Sequence, residues 1–285
     1  MARLFKAAEV NAAMREQLST AVQVLQEKGI QPTLAIVRLG ERPDDLAYER
    51  GAMRRCEETG VAVERFLLPA DVSQEKLLAV IDEINADPCY NGCLIFRPLP
   101  KTIDEEAVRQ RLSPAKDIDC ITDGSMVGVF ANLPNGFPSC VVQACLEILD
   151  HYQVDLSGKR VTVVGRSLVV GKPLAMLLLA RNATVTVCHT RTRDMAECCR
   201  QAEVLVVAAG RSGLIGAEHL SPGQIVIDVG INFDEEGKML GDVRFEEAEG
   251  IVEGITPVPG GVGAVTTMVL VKQVVEAARR QNGLC

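Results

Sequence analysis

The chain has 285 residues, 47% hydrophobic and 24% charged, with a formal net charge of −8. That length suits two domains, and that composition excludes a disordered chain. The acidic balance excludes bulk nucleic-acid binding, which needs a basic field, but leaves room for an anionic small ligand in a locally basic pocket. Aromatics are few, with no Trp, so the core must be built from Val, Leu, Ile and Ala, as in parallel sheets covered by helices.

No apolar run reaches the roughly 18 residues that span a bilayer, and the N-terminus has no signal-peptide core. A cytoplasmic protein with no membrane partner is expected. Ten cysteines, at 56, 89, 93, 120, 140, 145, 188, 198, 199 and 285, form no C-x-x-C pair and no zinc-spaced His cluster. They read as small buried hydrophobes, and no metal is expected.

Taken in order, residues 8–28 carry helical periodicity through Val10, Ala13, Leu18, Val22 and Leu25. Thr33–Val37 reads as a buried strand that ends at Gly40. Pro43, Asp44 and Asp45 open a helix over 44–59, which Gly60 closes. A strand over 61–68, a helix over 73–86 and a strand over 92–96 follow. This alternation predicts an α/β layer with a parallel sheet. Residues 112–138, rich in Gly, Pro, Asp and Asn, read as an irregular segment and hinge. A helix is expected over 140–152.

Beyond it, Val161–Val164 reads as a strand, Gly165–Gly171 as a loop, and Pro173–Arg181 as a helix with Pro in its first turn. Further strands are expected at Thr184–Cys188, Val204–Ala208 and Ile225–Val229. The second domain is therefore a doubly wound, Rossmann-like nucleotide-binding unit. The apolar stretch Thr266–Ala278 reads as a helix packing back on the first domain. The expected division is 1–143 plus 265–285 for one domain and 144–264 for the other.

The loop Gly165-Arg-Ser-Leu-Val-Val-Gly171 lies between a strand and a helix, where dinucleotide pyrophosphates bind. A plain glycine turn before an ordinary helix explains the spacing alone almost as well, because G-x-G-x-x-G is absent. The end of the next strand says more. An acidic residue there would bind a ribose 2′-hydroxyl, but it reads His189-Thr-Arg-Thr-Arg193, with no carboxylate before Asp194. Arg166, Arg191 and Arg193, with Ser167 and Thr190, suit a 2′-phosphate, so NADP is preferred. Two later strand ends, Ala208–Gly213 and Val229–Asn232, commonly face such a cofactor.

These runs carry a resemblance. Val164–Pro173, Ala183–His189, Ala208-Ala-Gly-Arg211, Val226–Asn232 and Thr256-Pro-Val-Pro-Gly-Gly-Val-Gly263, with Pro98-Leu-Pro-Lys101 and Ser113–Asp119 earlier, resemble the bifunctional methylenetetrahydrofolate dehydrogenase/methenyltetrahydrofolate cyclohydrolase (FolD) family. The resemblance covers essentially the whole chain. It implies two α/β domains with the last helix returning to the first, a cytoplasmic homodimer, and tetrahydrofolate held between the domains. It implies oxidation of 5,10-methylenetetrahydrofolate with NADP, then hydrolysis to 10-formyltetrahydrofolate. By the same resemblance Tyr48 and Asp119 belong to the catalytic face. Tyr48, Pro98, Leu99, Asp119, Pro259, Gly260 and Gly261 would meet the folate. Gly165, Arg166, Ser167, Gly171, Thr190, Arg191, Ala209, Gly210 and Ile231 would meet the cofactor.

The departures cluster on the folate side. The family pattern has a Lys four residues after the Tyr, which places both on one helical face, but here that position is Ala52. A Gln two residues before Pro-Leu-Pro is Phe96, and the next residue is Arg97. The family's Pro-Cys-Thr-Pro has become Ser139-Cys-Val-Val142, and Ala264-Val265 stands where Pro-Met is usual. Arg55 and Arg97 can replace the charge, but a guanidinium does not readily accept a proton. The expected function is therefore an NADP-dependent dehydrogenase with weakened cyclohydrolase. The alternatives are a fully bifunctional enzyme using substitute groups, a reductase for another pterin-like substrate, and a catalytically silent nucleotide-binding paralogue.

Overall fold

The computed structural model describes residues 1–284, and Cys285 lies outside the described residues. In chain order the elements are β1 (Arg3–Leu4), α1 (Ala7–Glu27), β2 (Thr33–Leu39), α2 (Pro43–Thr59), β3 (Ala62–Leu68), α3 (Gln74–Ala86), β4 (Gly92–Ile95), α4 (Glu105–Arg111), α5 (Asp123–Ala131) and α6 (Cys140–His151). They continue with β5 (Arg160–Val164), α7 (Gly171–Ala180), β6 (Thr184–Cys188), α8 (Met195–Arg200), β7 (Val204–Val207), β8 (Ile225–Asp228), β9 (Asn232–Phe233), β10 (Met239–Leu240), α9 (Phe245–Glu249), β11 (Gly254–Ile255) and α10 (Val262–Gln281). Two compact units emerge: Ala12–Cys140 with the chain from Thr267 onward, and Met1–Asn11 with Val141–Thr266.

The first unit is built on three parallel strands in the order β3-β2-β4. Its central strand is buried through Leu34, Ala35, Ile36 and Val37, the unbroken apolar run of a strand covered on both faces. Pro43 needs no N–H in the first turn of α2, and Asp44 and Asp45 complement the helix dipole there. Gly60 ends α2 with φ 83°, the left-handed conformation that costs glycine least. α10 contributes Gln273, whose Nε2 donates to Ile118 O at 2.6 Å, and Gln281, whose Nε2 donates to Asn91 O at 2.9 Å. The irregular reading of residues 112–138 needs correction. Thr122 Oγ1 accepts from Ser125 N–H at 3.1 Å and starts α5. Gly128 sits inside that helix because a Cβ there would lie 2.0 Å from Asn135 O. The glycine that suggested a loop is a close-packing residue.

The second unit carries a six-stranded sheet, β1-β11-β8-β7-β5-β6, with every pair parallel. From β5 the chain goes to β6 on one side, then to β7 and β8 on the other. Strand order therefore reverses between β5 and β7, and ligands of open α/β sheets bind outside the carboxyl ends of the strands at such a point. Residues 1–11 belong to this unit, not to the first domain where the sequence reading put them. β1 extends the sheet beside β11, Phe5 stacks on Tyr152 at 4.2 Å, and Lys6 N–H donates to Tyr152 Oη at 2.7 Å. A two-residue strand carries too little periodicity to announce such a pairing.

Candidate active site

Tyr48, Ala52 and Phe96 all lie in the first unit. α2 offers Tyr48 and Ala52 at a separation of four, and Phe96 follows the end of β4. The rings of Tyr48 and Phe96 meet edge to face, with centroids 6.0 Å apart and planes at 83°. Ala52 is fully buried and Phe96 is buried. Neither side chain can accept or donate a proton, so this part of the face is apolar. The two candidate substitutes are engaged elsewhere. Arg55 donates to Glu58 at 2.7 Å, and Arg97 pairs with Glu105 at 3.6 Å.

Asp119 is half-buried at the end of the Ser113–Asp119 run. Its Oδ1 accepts from Cys140 N–H at 2.8 Å, at the start of α6. Burial pushes its carboxyl above the usual value of 3.8, while the Cys140 hydrogen bonds and the Arg97 charge oppose that rise. Sequence reasoning had no sign of this capping bond. Asp119 therefore accepts the N–H of Cys140, the first residue of α6. Pro98 is exposed, Leu99 is half-buried, and the Arg97–Pro98 peptide is cis.

Beside Tyr48 in sequence, Glu49 forms a buried ion pair that the sequence reading missed. Arg38 Nε lies 2.6 Å from Glu49 Oε2, with side chains 6% and 4% exposed, and Arg65 reaches Glu49 Oε1 at 3.3 Å. Removing one member of a buried pair leaves the other charge uncompensated. Glu49→Ala is expected to destabilise the protein by about 3–5 kcal/mol in urea unfolding. A loss below ~1 kcal/mol would show that solvent already supports Arg38.

In the second unit the glycines of the Gly165–Gly171 loop permit a close approach. A Cβ at Gly171 would lie 2.2 Å from Gly165 O, and one at Gly165 would lie 2.2 Å from Ala208 O. The loop after β5 thus packs on the end of β7, at the switch point. Ser167 Oγ accepts from Val170 N–H at 3.1 Å and Gly171 N–H at 3.5 Å, which leaves its own hydrogen free to donate. Arg166 is exposed, as are Thr190 and Arg191 on the loop after β6. That loop is held as a turn: His189 N–H donates to Thr192 Oγ1 at 2.8 Å and Arg191 N–H to His189 Nδ1 at 3.1 Å. The cradle, the exposed arginines and the absence of a carboxylate between Cys188 and Asp194 fit a dinucleotide bearing a 2′-phosphate.

Ala209 and Gly210 follow β7, and Ile231 follows β8. Ile231 is 53% exposed and large for an exposed apolar side chain. A Cβ on Gly263 would lie 3.1 Å from Ile231 Cδ1, so the Pro259–Gly263 segment runs beside it. Pro259 and Gly260 are exposed, and Gly261 is buried. These three belong to the same unit as the cofactor residues, whereas Tyr48, Pro98, Leu99 and Asp119 belong to the other.

Two family models match this chain. The catalytic domain of tetrahydrofolate dehydrogenase/cyclohydrolase matches residues 5–119, and the NAD(P)-binding domain matches residues 139–282. The chain belongs to the tetrahydrofolate dehydrogenase/cyclohydrolase family. Among its relatives is the bifunctional protein FolD of Carboxydothermus hydrogenoformans, 49% identical over 286 residues and covering all of both chains. The FolD crystal structure from Campylobacter jejuni superposes with a TM-score of 0.94 at 35% identity, over 98% of this chain and 99% of that one. The Trypanosoma brucei FolD structure, complexed with NADP and an inhibitor, has a TM-score of 0.90 at 33% identity over 98% of each chain. Among the described residues no His, Cys, Asp and Glu cluster suits a metal ion, and no helix is long and apolar enough to cross a membrane.

Proposed function

We propose that the chain is an NADP-dependent methylenetetrahydrofolate dehydrogenase of one-carbon metabolism whose methenyl-hydrolysing activity is depressed. The observation that carries the second half is the fully buried Ala52 with the Phe96 ring set on Tyr48. The first half is supported by the family and by nucleotide motifs that are nearly whole, with Thr190 where the family pattern has Ser. A fully bifunctional enzyme would need a substitute base, and Arg55 and Arg97 are guanidiniums already paired with carboxylates.

NADP, when bound, supplies the hydride acceptor. The protein's part in the oxidation is positioning, which survives loss of an acid/base group. Asp119 would orient the pterin through its free lone pairs, and Tyr48 and Phe96 would flank it with apolar surface and exclude water. The Gly165–Gly171 loop would take the pyrophosphate, and Arg166, Arg191 and Thr190 the 2′-phosphate. Water attack on the methenyl carbon benefits from a positioned acid/base pair, and Ala52 and Phe96 stand where the family has its Lys and Gln. The same family reading implies a cytoplasmic homodimer, and light scattering tests the dimer.

Incubation with methylenetetrahydrofolate and NADP, followed by acid development of the methenyl product, tests the dehydrogenase. A silent nucleotide-binding protein would give no product. kcat/KM is expected to be higher with NADP than with NAD, and the reverse order would overturn the cofactor reading. Arg166→Ala should raise KM for NADP by roughly 10- to 100-fold, the equivalent of one charge-assisted contact of about 1.5–3 kcal/mol.

A further inference from the structure

Three consecutive backbone N–H groups follow β7, and all three point at one side chain. Ala209 and Gly210 donate to Asp242 Oδ2 at 2.7 and 2.8 Å, and Arg211 donates to Oδ1 at 2.8 Å. Gly210 has φ 64°, so the loop turns sharply here. Asn232 Nδ2 adds a fourth donor to Oδ1 at 2.9 Å, from the segment after β8. Successive N–H groups of this kind form a concave anion site. In this protein the concavity is filled from inside by a fully buried carboxylate. It is therefore closed to cofactor phosphates, and it is held in shape whether or not a ligand is present.

Asp242 is itself held. Its N–H donates to Asp228 Oδ1 at 3.0 Å, Val243 N–H donates to Oδ2 at 3.0 Å, and Gly230 N–H donates to Oδ1 at 2.9 Å. Two glycines make room for the two carboxylates. A Cβ at Gly230 would lie 2.4 Å from the Asp242 carboxyl, and one at Gly241 would lie 1.9 Å from Asp228 Oδ2. Burying two neighbouring carboxylates is costly unless their lone pairs are well satisfied. Here seven hydrogen bonds meet that need, and all of them fasten loops at the carboxyl ends of β7 and β8.

We propose that Asp242 is a positioning residue for the dinucleotide: it fixes the Ala209–Arg211 loop against which the cofactor lies, and Asp228 fixes Asp242. This rests on the NADP-binding role given to Ala209 and Gly210 above. Asp242 touches no substrate; it acts through the loop. An Asn at this position would turn an NH2 group toward backbone N–H donors and break part of the set. An Ala at Gly230 would press its Cβ on the Asp242 carboxyl at 2.4 Å and on the Asp242 backbone nitrogen at 2.5 Å, displacing the group while keeping its charge.

The test uses the full-length chain as wild type, Asp242→Asn and Gly230→Ala. It measures Kd for NADP, Kd for tetrahydrofolate, kcat and KM for NADP, and the thermal midpoint. In both variants Kd and KM for NADP should rise at least about tenfold. kcat at saturating NADP and Kd for tetrahydrofolate should stay within about threefold of wild type, a split that general loosening would not give. Unchanged NADP affinity in folded variants would overturn the proposal. So would a parallel loss of both ligand affinities. Failure of the wild type to bind NADP would instead remove the cofactor reading on which the proposal stands. If Asp242→Asn does not fold, Gly230→Ala carries the same comparison.

Discussion

Methenyltetrahydrofolate hydrolysis by this protein should run about 100- to 10,000-fold slower than in a family member carrying both Lys and Gln, the usual contribution of a positioned acid/base. Ala52→Lys with Phe96→Gln should recover part of that loss. Ala52→Lys alone should recover less, because its ammonium would sit in the fully buried site of Ala52 next to an aromatic pair, without an amide partner. A buried amine in such surroundings is pushed toward its neutral form, but with nothing to orient it the proton transfer is poorly aimed. The Arg97–Glu105 pair at 3.6 Å limits how far Arg97 can interfere. The decay of methenyl absorbance in wild type, both single variants and the double variant measures this. Wild-type hydrolysis as fast as in a member with Lys and Gln would refute the argument.

Asp119→Ala should abolish tetrahydrofolate binding while leaving NADP binding intact. The Ala variant also removes the acceptor for Cys140 N–H, so a structural loss accompanies it. Asp119→Asn separates the two effects, because its carbonyl oxygen can still accept from Cys140 while the charge is gone. Calorimetric titration should show folate affinity falling in both variants. The pH dependence follows from the raised carboxyl. Burial favours the protonated form in the folded protein, so the stability linked to this group is greatest in acid and is lost as pH rises through the raised value. Folate affinity that needs the carboxylate moves the other way: it should fall on acidification at a pH above 3.8, with no unfolding from this group, and Asp119→Asn should lack that limb. Unchanged folate affinity in Asp119→Ala would place the pterin elsewhere.

How much of this was legible in the sequence depended on the length scale of each signal. The strands from β2 to β8 and the long helices carried enough apolar residues, and enough caps such as Pro43 and Gly60, to be read directly. The two-residue strands β1, β9, β10 and β11 carried no period at all. α5 was hidden because Gly124, Gly128 and Asn132 resemble a loop until their neighbours are known. At the candidate site, Gly165, Gly171 and the arginines could be singled out by their position relative to a strand. Asp228, Asp242 and the Arg38–Glu49 pair did not, because a buried carboxylate is recognisable only from the donors that surround it. Asp119 was expected to meet a ligand, yet its bond to Cys140 N–H lies between residues far apart in sequence.

The pairing of Arg3 with Gly254 and Leu4 with Ile255 has a consequence for how the chain is made. β1 is made before every other strand of its sheet, and its partner β11 is separated from it by all the other strands of the fold. Until β11 is made, β1 has no strand to pair with and the outer side of β8 stays open. Closing so long a loop is entropically costly and tends to slow folding. The β1 edge of the sheet therefore cannot close before β11 has been made. The interval before β11 arrives is when a premature stop or a stalled ribosome would leave the longest exposed edge for aggregation.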